Sequence, residues 1–125
     1  MIALKYIEDT GPLPTSVYKL IDGEKEVGLL QIRHKPSITS TLPQDMASHI
    51  YYEIKEEEQG KGYGNKILEL AKEEAKRIGL SELRLTVWDS NIPSQKIIQR
   101  NGGILIKKES VENKTGLFLL YTIRL

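Results

Sequence analysis

The stretch Glu57-Glu58-Gln59-Gly60-Lys61-Gly62-Tyr63-Gly64-Asn65-Lys66 decides the reading of this chain. Three glycines in five residues run into an apolar stripe at helical spacing, Ile67, Leu68, Ala71, Ala75 and Ile78, which Gly79 closes. So much backbone freedom is entropically expensive to order, so a bound group is expected to reward it. Consecutive N–H groups without side chains form a nest for anions, and a helix N-terminus adds unsatisfied donors and its dipole. The natural guest is a phosphate or pyrophosphate. A Walker loop needs Lys followed by Ser or Thr, and Gly64-Asn65-Lys66 does not supply it. A dinucleotide fingerprint needs a third glycine where Asn65 stands, in a loop directly after a strand, and here Lys55 to Glu58 intervenes.

Working outward, the pattern predicts strands at Ala3 to Ile7, Val17 to Ile21 and Val27 to Ile32, the last two joined by an Asp22-Gly23 hairpin. Gly11 to Thr15 is too short and proline-rich for a helix. Lys35 to Ser48 reads as a long polar loop, and His49 to Ile54 as a fourth strand. Beyond the helix, Leu83, Leu85 and Val87 alternate in a fifth strand. Pro93 to about Gln99 is a short helix capped by Ser90 or Asn91 and ended by Asn101-Gly102-Gly103. Strands at Ile104 to Lys107 and Leu117 to Leu125 close an order β-β-β-β-α-β-α-β-β, an α/β fold with a mixed sheet.

The 125 residues are read as one domain, spanning 1–125, with 39% hydrophobic residues, enough to build a core. A net charge of +1 gives no support to a nucleic-acid or membrane-surface role. The absence of cysteine removes disulfides, thiolate metal sites and a cysteine nucleophile, and no metal site is expected from His34 and His49. Acidic residues interrupt the first apolar run, and no window reaches the roughly 18 apolar residues of a membrane span, so a cytoplasmic address is expected.

The spacing Gln59-x-x-Gly62-x-Gly64 resembles the pyrophosphate motif of the GNAT superfamily of acyl-CoA-dependent N-acetyltransferases. The preceding His49-Ile50-Tyr51-Tyr52, the later Asn91-x-x-Ser94 and Asn101-Gly102-Gly103, and Arg33-His34 upstream resemble one branch of that superfamily, over residues 16 to 106. The resemblance implies a mostly antiparallel sheet of about seven strands with two main helices, the N-terminal helices being reduced or absent. It implies acetyl-CoA as cofactor, with pantetheine held by the backbone of Tyr52, Glu53 and Ile54 and a strand-four N–H as oxyanion donor. Gln59, Gly60, Lys61, Gly62, Tyr63, Gly64 and Asn65 would wrap the pyrophosphate, Lys61 pointing to a phosphate or to solvent, and Asn91 and Ser94 would touch the pantetheine or sulfur.

Two departures stand out. The tyrosine that many members use to protonate the leaving thiolate falls at Ile98, and the helices that wall the acceptor site are missing between the first two strands. Assisting a thiol of pKa about 8.5 is worth at most about 2 kcal/mol, whereas freeing an alkylamine of pKa about 10.4 at pH 7 costs about 4.6 kcal/mol. A base therefore matters more than an acid. His49, Glu53 and His34 are its candidates. The expected activity is transfer of an acetyl group to a primary amine of a small molecule, peptide or protein by direct attack. The alternatives are a non-catalytic acyl-CoA-binding module and an unrelated phosphate-binding domain. The missing wall makes a homodimer an expectation as well.

Overall fold

The computed structural model describes residues 1–37 and 44–125. Its elements are β1 (Ile2–Thr10), β2 (Thr15–Asp22), β3 (Lys25–Ser37), β4 (Ser48–Ile54), α1 (Tyr63–Ile78), β5 (Glu82–Trp88), α2 (Ile92–Arg100), β6 (Ile104–Ser110) and β7 (Leu117–Arg124). Short 3-10 turns lie at Gln44–Met46 and Glu56–Glu58. The predicted order holds, and four residues join β1 to β2 with no helix between them. Several boundaries differ, β6 among them, which runs on from Lys107 to Ser110. β1 runs on to Thr10, because Asp9 and Thr10 pair with Ser16 and Thr15 beyond a bulge between Tyr6 and Glu8. β3 takes in Lys35 to Ser37 and β4 takes in Ser48, both expected as loop, and the part of that loop at 38–43 lies outside the described residues. α1 starts at Tyr63, ahead of its apolar stripe, where Gly64 and Asn65 conceal the first turn from any propensity argument.

The seven strands and two helices are those expected of the α/β fold, and the strands form two antiparallel sheets, ordered β1-β2-β3-β4 and β5-β7-β6. Alternation buries Tyr18 and Leu20 of β2 and Leu30 and Ile32 of β3 against Ile67, Leu68, Ala71 and Ala75 of α1. The register passes from Leu20↔Gly28 to Ile21↔Glu26, and the bulge at Val27 turns that side chain inward too. Central β7 is buried on both faces: Leu119, Tyr121 and Ile123 join the main core, while Phe118 and Leu120 pack with Met46 in a smaller one.

The two sheets meet at β4 and β5, which the α1 crossover connects. Among the described residues no ladder joins them, and side chains do the joining at one end. His49 is 4% exposed, and its Nδ1 accepts the backbone N–H of Arg84 at 2.9 Å. The Arg84 guanidinium reaches back with Nε to the Ala47 carbonyl at 2.8 Å and Nη2 to that of Asp45 at 2.8 Å. The strands are thus fastened near their beginnings and diverge toward Ile54 and Trp88.

This fastening has a pH signature. Burial holds the His49 imidazole below its ordinary pKa, and the positive charges of Arg84 and Arg33 push the same way against the opposing effect of Glu82. A proton on Nδ1 would also abolish the acceptor. Unfolded, the ring takes up a proton near pH 6.5, so its contribution is complete above that value and declines as the pH falls toward the folded pKa. Thermal melts between pH 7.5 and 5.5 are expected to show a decline steeper in the native chain than in His49→Gln, by at most about 1.4 kcal/mol per pH unit. Parallel slopes would contradict the assignment.

Candidate active site

Two of the glycines lead into α1 with left-handed backbone, Gly60 at φ +78° and Gly62 at φ +86°. Gly62 is the residue before the first helical turn and offers no capping side chain, so the first N–H groups of α1 have no side-chain acceptor there. A Cβ on Gly62 would meet nothing within 4 Å, so the requirement for glycine is conformational. The third glycine serves differently. Gly64 lies within the helix, and a Cβ there would come 2.8 Å from Ile97 Cδ1 of α2. It permits the two helices to approach.

The contact is completed by Asn101, whose Nδ2 donates to the Ile97 carbonyl at 3.0 Å and to Asn65 Oδ1 at 3.1 Å. The Asn-Gly-Gly ending of α2 thereby fastens onto the start of α1. On the opposite side the Tyr63 hydroxyl donates to Asp22 Oδ2 at 2.5 Å, tying the helix start to the β2–β3 turn. Gln59 Nε2 donates to the Ile54 carbonyl at 3.2 Å and folds the loop against the end of β4.

Between these elements opens a cleft of about 840 Å³. Tyr52, Glu53, Ile54, Gln59, Gly60 and Gly62 line it on the strand and loop side. Tyr63, Gly64, Asn65, Asn91 and Ser94 line it from the two helices. A second cleft of about 310 Å³ continues between the diverging strands, with Ile50, Tyr51, Val87, Trp88, Ile98 and Phe118 in its wall. Three residues, Tyr52, Asn91 and Ser94, line both and mark the junction. Asn91 also caps α2, its Oδ1 accepting the Ser94 N–H at 3.3 Å.

Lys61 is placed differently from the phosphate-facing alternative. Its Nζ sits 3.0 Å from Glu58, a carboxylate that Lys25 also reaches at 2.9 Å, and it is not among the residues lining the cleft. The two lysines hold the Glu58 carboxyl below the usual carboxylate range. Two other cations face the cleft, Lys96 and Arg100 of α2. Their i,i+4 spacing one turn beyond Asn91 was the available signal, and without the helix orientation it was indistinguishable from a solvated face.

The three candidates for a base are not brought together. Glu53 lines the larger cleft, and its Oε2 accepts the Tyr51 hydroxyl at 2.5 Å. His49 lines neither cleft and spends Nδ1 on Arg84. His34 also lies outside both, with Nε2 at 2.7 Å from Ser16 Oγ, which donates to Asp9 Oδ1 at 2.8 Å. That hydrogen bond, with another from Tyr6 and the nearby His34, holds the Asp9 carboxyl below its ordinary pKa. Among the described residues no group of three or more His, Cys, Asp or Glu side chains is placed to hold a metal ion. No helix among them is long and apolar enough to cross a membrane.

Known proteins place this architecture. A Bacillus subtilis acetyltransferase solved in complex with CoA superposes with a TM-score of 0.74 at 16% identity, over 100% of this chain and 99% of that one. RimL, a ribosomal L7/L12 α-N-protein acetyltransferase solved with CoA, gives 0.68 at 18% identity over 89% of this chain. A GNAT-family acetyltransferase from Streptococcus pneumoniae gives 0.68 at 19% identity, again over 89% of this chain. The matched part spans 62% of RimL and 66% of the pneumococcal protein. At these identities the likeness shows the fold. No curated protein matches the sequence. The description of the Acetyltransferase (GNAT) family, however, matches residues 4–103, most of its length, and the chain belongs to that family.

Proposed function

We propose that this chain transfers an acetyl group from acetyl-CoA to a primary amine of a small molecule, peptide or protein. One observation carries the reading: a cleft runs from the uncapped start of α1, past Tyr52 to Ile54 on the unpaired edge of β4, to a junction with a second cleft lined by β4 and β5. That is the shape required to hold a long donor by its anionic end and present its acyl group to an acceptor arriving opposite. The family and the CoA-bound structural neighbours support the donor assignment.

The residues present fit such a donor. The backbone N–H groups of Gly62 to Asn65 suit a pyrophosphate, with Lys96 and Arg100 adding charge at the rim. The free edge of β4 offers main-chain groups to an amide-bearing arm, as an added strand would use them. Acetyl-CoA supplies the activated thioester. The chain supplies position, a β4 N–H at the thioester oxygen and a base. Glu53 is assigned as that base, being the one candidate of the three that lines the cleft, with Tyr51 hydrogen-bonded to it and lining the acceptor side.

A second reading, an acyl-CoA-binding module without catalysis, is favoured by one observation, the buried apolar Ile98 where a proton donor is expected. Thiol release from acetyl-CoA against a panel of amines separates the two. Amine-dependent release is expected, and CoA binding without it would favour the module. Glu53→Gln is expected to lower kcat/KM for the amine by about 100-fold with CoA affinity retained. Gly62→Ala imposes about 1–2 kcal/mol of left-handed strain that the free loop escapes by moving, so calorimetry should find CoA binding weakened about 10-fold. Unchanged affinity in that variant would remove the loop from the donor site.

A further inference from the structure

The smaller cleft has a composition of its own. Its wall takes in the only tryptophan and the only phenylalanine of the chain, Trp88 and Phe118, with two of the six tyrosines, Tyr51 and Tyr52. Strand alternation divides the lining between two faces. Ile50 and Tyr52 of β4, with Leu85 and Val87 of β5, pack on the helix side with the main core. Tyr51 and Glu53 alternate with the first pair, and Thr86 and Trp88 with the second, on the opposite face. There the Trp88 and Phe118 rings lie 4.9 Å apart, tilted by 48°, and Phe118 packs with Met46 and Leu120. No charged side chain among the described residues lines this cleft, and residues 38–43 contain none in sequence. Glu53 lines the larger cleft and touches the smaller one only through the Tyr51 hydroxyl, 2.5 Å away.

We propose that the smaller cleft receives a free primary amine carried on a short chain that ends in an aromatic ring, the ring beside Trp88 and Phe118 and the nitrogen toward Tyr51 and Glu53. This inference rests on the acetyl-CoA reading above. A volume of about 310 Å³ stands at the low end of ligand pockets, which span about 300–1,000 Å³, and suits one ring with a short chain. Polarity is one-ended, so a single ammonium meets the carboxylate while an apolar body fills the remainder. A second ammonium or a row of hydroxyls would lose its water among these side chains without gaining a partner. The tilted ring pair favours a third ring over an alkyl chain, because edge-to-face contacts add to the area buried. In the transfer, the ammonium gives one proton to Glu53, and the nitrogen then bonds to the carbonyl carbon. The C–S bond breaks with its electron pair on sulfur. The nitrogen's second proton ends on the thiolate, so the products are one amide, one thiol and one proton released to water.

The test compares 2-phenylethylamine with n-butylamine, spermidine and Nα-acetyl-lysine amide in thiol release from acetyl-CoA by the full chain. Expected is a kcat/KM for 2-phenylethylamine about 10- to 100-fold above each of the others, the range that burial of one ring spans. In Trp88→Leu its lead over n-butylamine should shrink by about 10-fold. A second readout needs neither turnover nor a variant, which keeps the test whole should Trp88→Leu not fold. Tryptophan emission reports position 88 alone, and with CoA in place of acetyl-CoA it should shift saturably with 2-phenylethylamine and not with spermidine. Spermidine or the lysine amide used as well as 2-phenylethylamine, an unchanged ratio in folded Trp88→Leu, or emission indifferent to the aryl amine would overturn the inference and leave the acetyltransferase reading standing. Emission that responds while no amine elicits thiol release would overturn the acetyltransferase reading and keep the ring pocket. A chain silent in both overturns the two together.

Discussion

The bond from the Arg84 N–H to His49 Nδ1 is the constraint on which the architecture turns. Two adjacent strands ordinarily satisfy one another's backbone along their whole length, and a complete β4–β5 ladder would leave no room between them. Here an imidazole stands in for a strand at one position, and the guanidinium of Arg84 serves two carbonyls ahead of β4. The sheets are pinned at that end and free to part at the other. The unpaired edge of β4 borders that gap, and its Tyr52 lines both clefts.

Much of this was written locally. The apolar stripe of α1, the Asp22-Gly23 hairpin and the alternation of β5 each depend on neighbours within a few residues, and each stands as the pattern implies. Gln59, Gly60, Gly62, Tyr63, Gly64, Asn65, Asn91 and Ser94 converge on one cleft because the motif spacing encodes the turn and the helix start. What escaped was set by tertiary partners. The orientation of α2 decides that Lys96 and Arg100 face the cleft, and no periodicity contains it. Lys61 was drawn away by Glu58, itself buried through Lys25 from another element. His49 has the type and place of a base, but its surroundings on β5 decide which of its nitrogens is committed.

The glycines show how one composition signal can contain two causes. Gly60 and Gly62 are required by backbone angle, whereas Gly64 is required by the approach of Ile97. With Asn101 bonded to Asn65, that approach fixes the spacing of the helices that form one side of the cleft. A ligand entering it meets walls already in place, so less ordering is charged against its binding.

Glu58 has a consequence beyond its own neutralisation. It is flanked by two counter-ions, Lys25 on one side and Lys61 on the other, so the trio at the approach to the glycines keeps only one of its two positive charges. In a chain of net charge +1, capture of the proposed donor would then draw on peptide dipoles and the two rim cations, Lys96 and Arg100. Forces of that range act inside a Debye length, about 8 Å at physiological ionic strength, and dissolved salt screens them weakly. Encounter should therefore gain only modestly from long-range attraction, less than that of a protein that gathers its ligand down a basic funnel.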